Sequence, residues 1–309
     1  MPVRHSGPFL RYTPEVSDAI VRERPVVALE SSVLAQGLPI PANREAATRM
    51  RAAILRHGAT PAITAVVAGQ ATLGLTSDEL ERFLARTGVE KLSARDLSRA
   101  VLRGADGATT VAAALALCRE AGVPVFATGG IGGVHRESSF DESADLLEIA
   151  RTEAVVVCAG AKSILDLPAT LERLETLGVT VAGFGTDECP GFFTAETGLR
   201  LSVRVDSIDD IVRLYDIERR LRRPGALIVA VPPPAGAALS RKEVDSAVEA
   251  ALSQARATKL SGSAVTPFLL AAIEGETGGR SLAANLALLQ ENASVAARIA
   301  TALADDATA

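Results

Sequence analysis

Only four of the 32 basic residues in this 309-residue chain are lysines: Lys91, Lys162, Lys242 and Lys259. Against an arginine background this matters, because an amine can shed its proton near neutrality and attack a carbonyl, whereas a guanidinium cannot. Lys242 and Lys259 stand among polar, helix-like residues and read as solvated surface. Lys162 follows the apolar run Ala154-Val155-Val156-Val157-Cys158 and is flanked by Gly160, Ala161 and Ser163, small residues that leave room for a ligand. Desolvation there would favour a neutral, nucleophilic amine; an ordinary solvent-facing lysine is the alternative. Lys91 lies on the short extended run Val89 to Leu92, upstream of Gly104-Ala105-Asp106-Gly107-Ala108-Thr109-Thr110, which opens an alanine-rich helix. Small residues and hydroxyls at a helix start present free N–H groups to a phosphate, or else Thr109 and Thr110 are simple caps.

An acid, Glu30, ends the apolar run Val26 to Leu29 and is followed by Ser31 and Ser32. At a strand tip it is either a loop or cap anchor or a buried group suited to proton transfer, and position alone does not separate the two. The densest polar stretch runs from Phe126 to Asp145, FATGGIGGVHRESSFDESAD. Its four glycines in five residues suit a sharp turn or a close approach. His135 and Arg136 follow, and then Asp141 and Asp145, whose spacing would place both on one face of a helix's first turn. Each fits a surface turn when taken singly. Together, after a buried-looking strand, they fall where ligand sites of open α/β sheets collect. A G-x-G-x-x-G reading from Gly130 puts His135 at the third glycine, and no Walker lysine follows, which argues against a dinucleotide or nucleoside triphosphate site.

The elements that must hold these residues alternate between strand and helix. Thr13 and Pro14 start a short helix to Arg22. Further helices are expected over Asn43 to His57, from Thr76, over Ser143 to Arg151, Ser207 to Leu221, Lys242 to Ala255, Pro267 to Glu276 and Leu282 to Leu303. Strands are expected at Val26 to Leu29, Ala62 to Val67, between Gly69 and Gly74, Val89 to Leu92, Val123 to Phe126, Ala154 to Cys158, Val179 to Phe184, Leu199 to Val203 and Ala226 to Val231. The pattern predicts a three-layer α/β/α fold with a central, mostly parallel sheet and a helical C-terminal third. Residues 1–24 read as an N-terminal segment with a short helix and residues 25–309 as one catalytic domain. The run Pro232-Pro233-Pro234 marks either a boundary or a rigid connection within that domain.

A chain that is 48% hydrophobic can bury a substantial core. Its net charge of −5, interleaved signs and 3% aromatic content leave little from which to build a nucleic-acid groove, though a nucleotide-sized substrate fits. No apolar run approaches the roughly eighteen residues of a membrane span, and the first residues lack a secretory segment, so a cytoplasmic protein with no membrane partner is expected. Cys118, Cys158 and Cys189 read as reduced core thiols.

Seven motifs together resemble the pseudouridine-5′-phosphate glycosidase family, in order from about Pro25 to about Ala300. They are Ala28-Leu29-Glu30-Ser31-Ser32, Gln36-Gly37-Leu38-Pro39, Gly107-Ala108-Thr109-Thr110-Val111, FATGGIGGVHR, Phe140-Asp141 with Ser143-Ala144-Asp145-Leu146, CAGAKSILDL from Cys158, and Thr266-Pro267-Phe268-Leu269-Leu270. The resemblance implies a lyase-classed glycosidase that reversibly cleaves the carbon–carbon bond of pseudouridine 5′-phosphate to uracil and ribose 5-phosphate. It further implies one Mn²⁺ per subunit and a homotrimer. By motif, Lys162 resembles the nucleophile that forms a Schiff base, Glu30 the proton donor and Asp141 the metal-linked carboxylate. Lys91, Val111, Ser143, Ala144, Asp145, His135 and Asn285 fall where the family contacts substrate. Gln36, Ser32, Val231 and Ala264 depart from the commoner pattern, which bears on base recognition. A C-glycosynthase joining ribose 5-phosphate to another aromatic acceptor is the first alternative, and a non-catalytic sugar-phosphate binder is the second. Binding alone would not call for a nucleophilic lysine.

Overall fold

The computed structural model describes residues 10–136, 141–257 and 265–308. Lys259, Ala264 and Phe140 lie outside those residues. Among the described residues, eleven strands form one sheet: β1 Leu10–Tyr12, β2 Val26–Leu29, β3 Thr60–Val67, β4 Gln70–Leu73, β5 Val89–Leu92, β6 Asp106–Thr109, β7 Val125–Ala127, β8 Val155–Cys158, β9 Thr180–Phe184, β10 Val203–Val205 and β11 Leu227–Ala230. Their order is β1-β4-β3-β2-β7-β8-β11-β9-β10, with β6 beside β3 and β5 beside β6. Every pairing is parallel except those of β3 with β4 and with β6. β2, β8 and β11 are buried along their whole length, as parallel strands covered on both faces must be, and they carry unbroken apolar runs of Val, Ile, Leu, Ala and Cys to match.

Helices cover both faces. In chain order they are α1 Pro14–Val21, α2 Ala42–Arg56, α3 Ser77–Leu84, α4 Leu97–Arg103, α5 Val111–Ala121, α6 Ala144–Ala150, α7 Leu167–Thr176, α8 Ile208–Arg220, α9 Arg241–Ala257, α10 Val265–Glu276 and α11 Arg280–Thr308. α3 shows how locally the boundaries are set: Thr76 accepts from the Glu79 amide while Glu79 accepts from the Thr76 amide. The 29-residue α11 packs on α2 and α8 and on β2, β7 and β8, so the chain after the proline run completes the domain. Three tethers strengthen that packing: His57 bonds Ser294 at 2.9 Å, Thr301 donates to the His57 carbonyl, and Asn292 reaches the end of β7.

Two local strand expectations differ. Asp106 to Thr109 is a strand, because its backbone pairs with both β5 and β3, and the helix begins at Val111. Leu199 and Leu201 bond to the loop at Asp187 and Cys189, which moves the strand on to Val203–Val205. Residues 33–37 form a π-helical turn, a form often found at functional sites. The segment before Pro25 joins the sheet, since β1 pairs in register with Ala71–Leu73.

Candidate active site

β2 and β6 share one edge of β3: Val26–Leu29 pair with residues 60–63, and Gly107 and Ala108 then take over at Val66 and Ala65. Buried hydroxyls fill the junction. Ser31 Oγ donates to the Thr64 carbonyl at 2.6 Å, the Thr109 amide donates to Ser31 Oγ at 2.9 Å, and Thr64 Oγ1 donates to the Leu29 carbonyl at 3.0 Å. Thr109 is therefore committed to the sheet. Glu30 leaves the ladder at this exchange and is 5% exposed. The Thr128 hydroxyl donates to its Oε1 and the Ser32 hydroxyl to its Oε2, each at 2.5 Å. Hydroxyls can donate or accept, so this pair can serve either protonation state of the acid.

From the end of β7 the glycine stretch runs beside the loop that follows β8. The Ala159 amide donates to the Gly129 carbonyl, Ile131 to Gly160, Lys162 to Ile131 and Asp166 to Val134, over 2.9–3.1 Å. Close approach requires the glycines here. A Cβ on Gly130 would sit 2.5 Å from the Phe192 ring and 2.9 Å from the Gly160 carbonyl oxygen. This ladder places half-buried Lys162 opposite the end of β2.

Glu30 and Lys162 line one cleft together with Lys91, Thr128, Gln36 and Asn285. Half-buried Lys91 has its pKa lowered, first by burial and then by the Lys162 charge, with Glu30 and Asp145 partly offsetting both. Among the described residues neither lysine is in an ion pair, which makes this end of the cleft suited to an anion. Two buried acceptors, Gln36 Oε1 and Asn285 Oδ1, have no partner among the described residues. Gln36 donates its amide to the Val89 carbonyl at 3.3 Å. Thr128, Gly129, Gly130, Phe192 and Leu270 also line the cleft without having been singled out as contacts from the sequence. For Thr128 a signal existed, a hydroxyl at a strand end ahead of the glycines.

The other expected residues are placed differently. α6 begins at Ala144, so Asp141 precedes the helix and is exposed, while Asp145 turns into the interior; the two do not share a face. Asp145 accepts from the Ala112 amide at 2.9 Å and the Gly132 amide at 2.8 Å, tying the start of α5 to the glycine stretch. With Thr110 accepting from Ala113, the Ala112 and Ala113 N–H groups of α5 are already bonded. Val111 is buried in its first turn. Ser143 caps α6, Ala144 is exposed, and half-buried His135 donates its backbone amide to the Asp141 carbonyl. The three cysteines are free and buried, and burial pushes the Cys158 thiol up to about 11 and the Cys118 and Cys189 thiols to about 12, as inert core groups.

Among the described residues no three His, Cys, Asp or Glu side chains gather as a metal cage. Asp141 offers one exposed carboxylate, which fits a hard cation that keeps most of its waters and does not fit a closed site. Among the described residues no helix is long and apolar enough to cross a membrane.

Residues 15–302 match the family model described as Indigoidine synthase A like protein. A Gemmatimonas aurantiaca protein named pseudouridine-5′-phosphate glycosidase is 59% identical over 295 residues, 96% of each chain. One of the same name from Herpetosiphon aurantiacus is 51% identical over 94% of this chain and 96% of its own. In structure, the prealnumycin C-glycosynthase AlnA, solved in complex with ribulose 5-phosphate, superposes with a TM-score of 0.90 at 36% identity, covering 98% of this chain and 99% of that one. An indigoidine synthase A-like protein of Thermotoga maritima gives 0.88 at 34%, covering 97% and 98%.

Proposed function

This chain belongs to the indigoidine synthase A like family, among its pseudouridine-5′-phosphate glycosidases, and we propose that it cleaves pseudouridine 5′-phosphate reversibly to uracil and ribose 5-phosphate. One observation carries the mechanism: the acid after β2 and the amine after β8 line the same cleft.

The departing atom is a ring carbon, so the sugar must supply an electron source that an ordinary glycosidase does not need. Glu30 gives a proton to the ribose ring oxygen as its bond to C1′ opens, and Lys162 Nζ bonds C1′, losing a proton. C5 of the base then takes a proton. The nitrogen lone pair expels the base as the C1′–C5 bond breaks, leaving an iminium that water hydrolyses to ribose 5-phosphate and free lysine. Lys91 lines the same cleft and supplies positive charge for the phosphate. Val111, Ser143, Ala144, Asp145 and His135 shape the region around the glycine stretch, and Asn285 offers an acceptor to the base. Asp141 would hold one Mn²⁺ per subunit with water filling the remaining positions, orienting groups and not generating a hydroxide nucleophile.

Purified protein given Mn²⁺ and pseudouridine 5′-phosphate should release uracil, and the reverse mixture should consume it. No turnover in either direction discards the assignment. C-glycosynthesis is the second reading, favoured by the likeness to AlnA and by Gln36, Ser32 and Val231; uptake of a different aromatic acceptor and not of uracil would select it. Homotrimeric assembly in the cytoplasm belongs to the same proposal. Leu102, 87% exposed on α4, offers apolar surface to a partner subunit, and light scattering should give three times 32.0 kDa.

A further inference from the structure

The loop that carries Lys162 is held by more than its ladder to the glycine stretch. The Leu165 amide donates to the Lys162 carbonyl at 3.0 Å, so residues 162–165 form one turn. Half-buried Arg136 grips the far side of that turn: its Nε donates to the Leu165 carbonyl at 3.0 Å and its Nη2 to the Ser163 carbonyl at 3.3 Å. Among the described residues these two carbonyls are its only hydrogen-bond partners, and no carboxylate pairs with it. Such use of a guanidinium is informative. A partly desolvated charge is held against neutral acceptors, and its planar fork spans two carbonyls that a single ammonium cannot reach with the same geometry. Arg136 also sits outside the lining of the cleft. Its contacts go to the loop behind the amine and not to the space where a substrate would lie.

We propose that Arg136 is a positioning residue for the nucleophile, locking the 162–165 turn so that the Lys162 amine stays within attacking distance of C1′. The inference rests on Lys162 being that nucleophile. A lysine on a turn without this clamp would still bind the sugar phosphate through the cleft's charge, but it would sample geometries from which bond formation is slow.

Arg136→Lys and Arg136→Met in the full chain test it. Expected is a fall in kcat of about 10- to 100-fold with KM for pseudouridine 5′-phosphate within about two-fold of wild type. Borohydride trapping with ribose 5-phosphate should slow in step while still modifying Lys162, and added guanidinium ion should restore part of the Met variant's rate. Should the Met variant not fold, the Lys variant reads the same split. An unchanged kcat overturns the proposal, as does a raised KM with kcat intact, which would mean that Arg136 touches substrate. If wild-type protein traps no sugar on Lys162, the underlying nucleophile assignment fails and the positioning role falls with it; normal trapping in both variants removes only the role of Arg136.

Discussion

Glu30 is buried and accepts from two hydroxyls, those of Ser32 and Thr128. Glu30→Gln keeps the shape and a carbonyl acceptor but cannot deliver a proton. It is expected to cut turnover about 10²- to 10⁴-fold while leaving ribose 5-phosphate binding near wild type. Calorimetric titration beside a rate assay checks this, and equal loss of both would make Glu30 a binding residue. Lys91 answers a different question. Its pKa is lowered by burial and by Lys162, so at neutral pH its charge is carried at a cost to the fold. Between its folded pKa and the ordinary 10.5 the unfolded chain binds more protons than the folded one, so stability from this group rises with pH across that window. Lys91→Met should flatten that rise in denaturant midpoints, leave the fold at least as stable at neutral pH, and weaken sugar-phosphate binding at least ten-fold, to order of magnitude. A less stable variant with intact binding would contradict both halves.

The elements matter through where they end. β2, β7 and β8 run parallel side by side, so their C-terminal ends lie along one edge, and Glu30, Thr128 and Lys162 each follow one of them. The glycine stretch and the 159–166 loop extend that alignment beyond the sheet, and their contact is too close for a side chain at Gly130. Gly130→Ala should cost about 1–3 kcal/mol in urea denaturation and reduce turnover together, because Phe192 and the Lys162 loop must both shift. A wild-type midpoint and rate would show that the loops yield freely. This level also explains what the sequence could reveal. Glu30 and Lys162 were readable because a polar residue at the end of an unbroken apolar run marks a strand end. Thr109 and Asp145 were not. Thr109 bonds Ser31 across 78 positions, and Asp145 bonds amides 33 and 13 positions away, and no local periodicity encodes such partners. Thr110 is legible as a cap, whereas the carboxylate that takes up the Ala112 amide comes from a distant residue.

At the scale of the whole molecule, the α/β/α layering and the mostly parallel sheet follow from the alternation of apolar runs and amphipathic stretches. What that alternation does not convey is closure. The C-terminal helices contribute Leu270 and Asn285 to the cleft, and Asn292 of α11 donates to the Thr128 carbonyl at 2.8 Å behind Glu30. The helical third is thus the wall of the site and a brace for its acid. The N-terminal strand, set apart in sequence, is likewise a working edge of the sheet. In the proposed mechanism this enclosure lets one amine capture a sugar covalently. Borohydride reduction in the presence of ribose 5-phosphate, followed by peptide mass mapping, tests it most directly. Covalent capture predicts one stable sugar-phosphate adduct, on Lys162, absent from Lys162→Ala; a wild-type protein that stays unmodified, or an adduct on Lys91 instead, would contradict it.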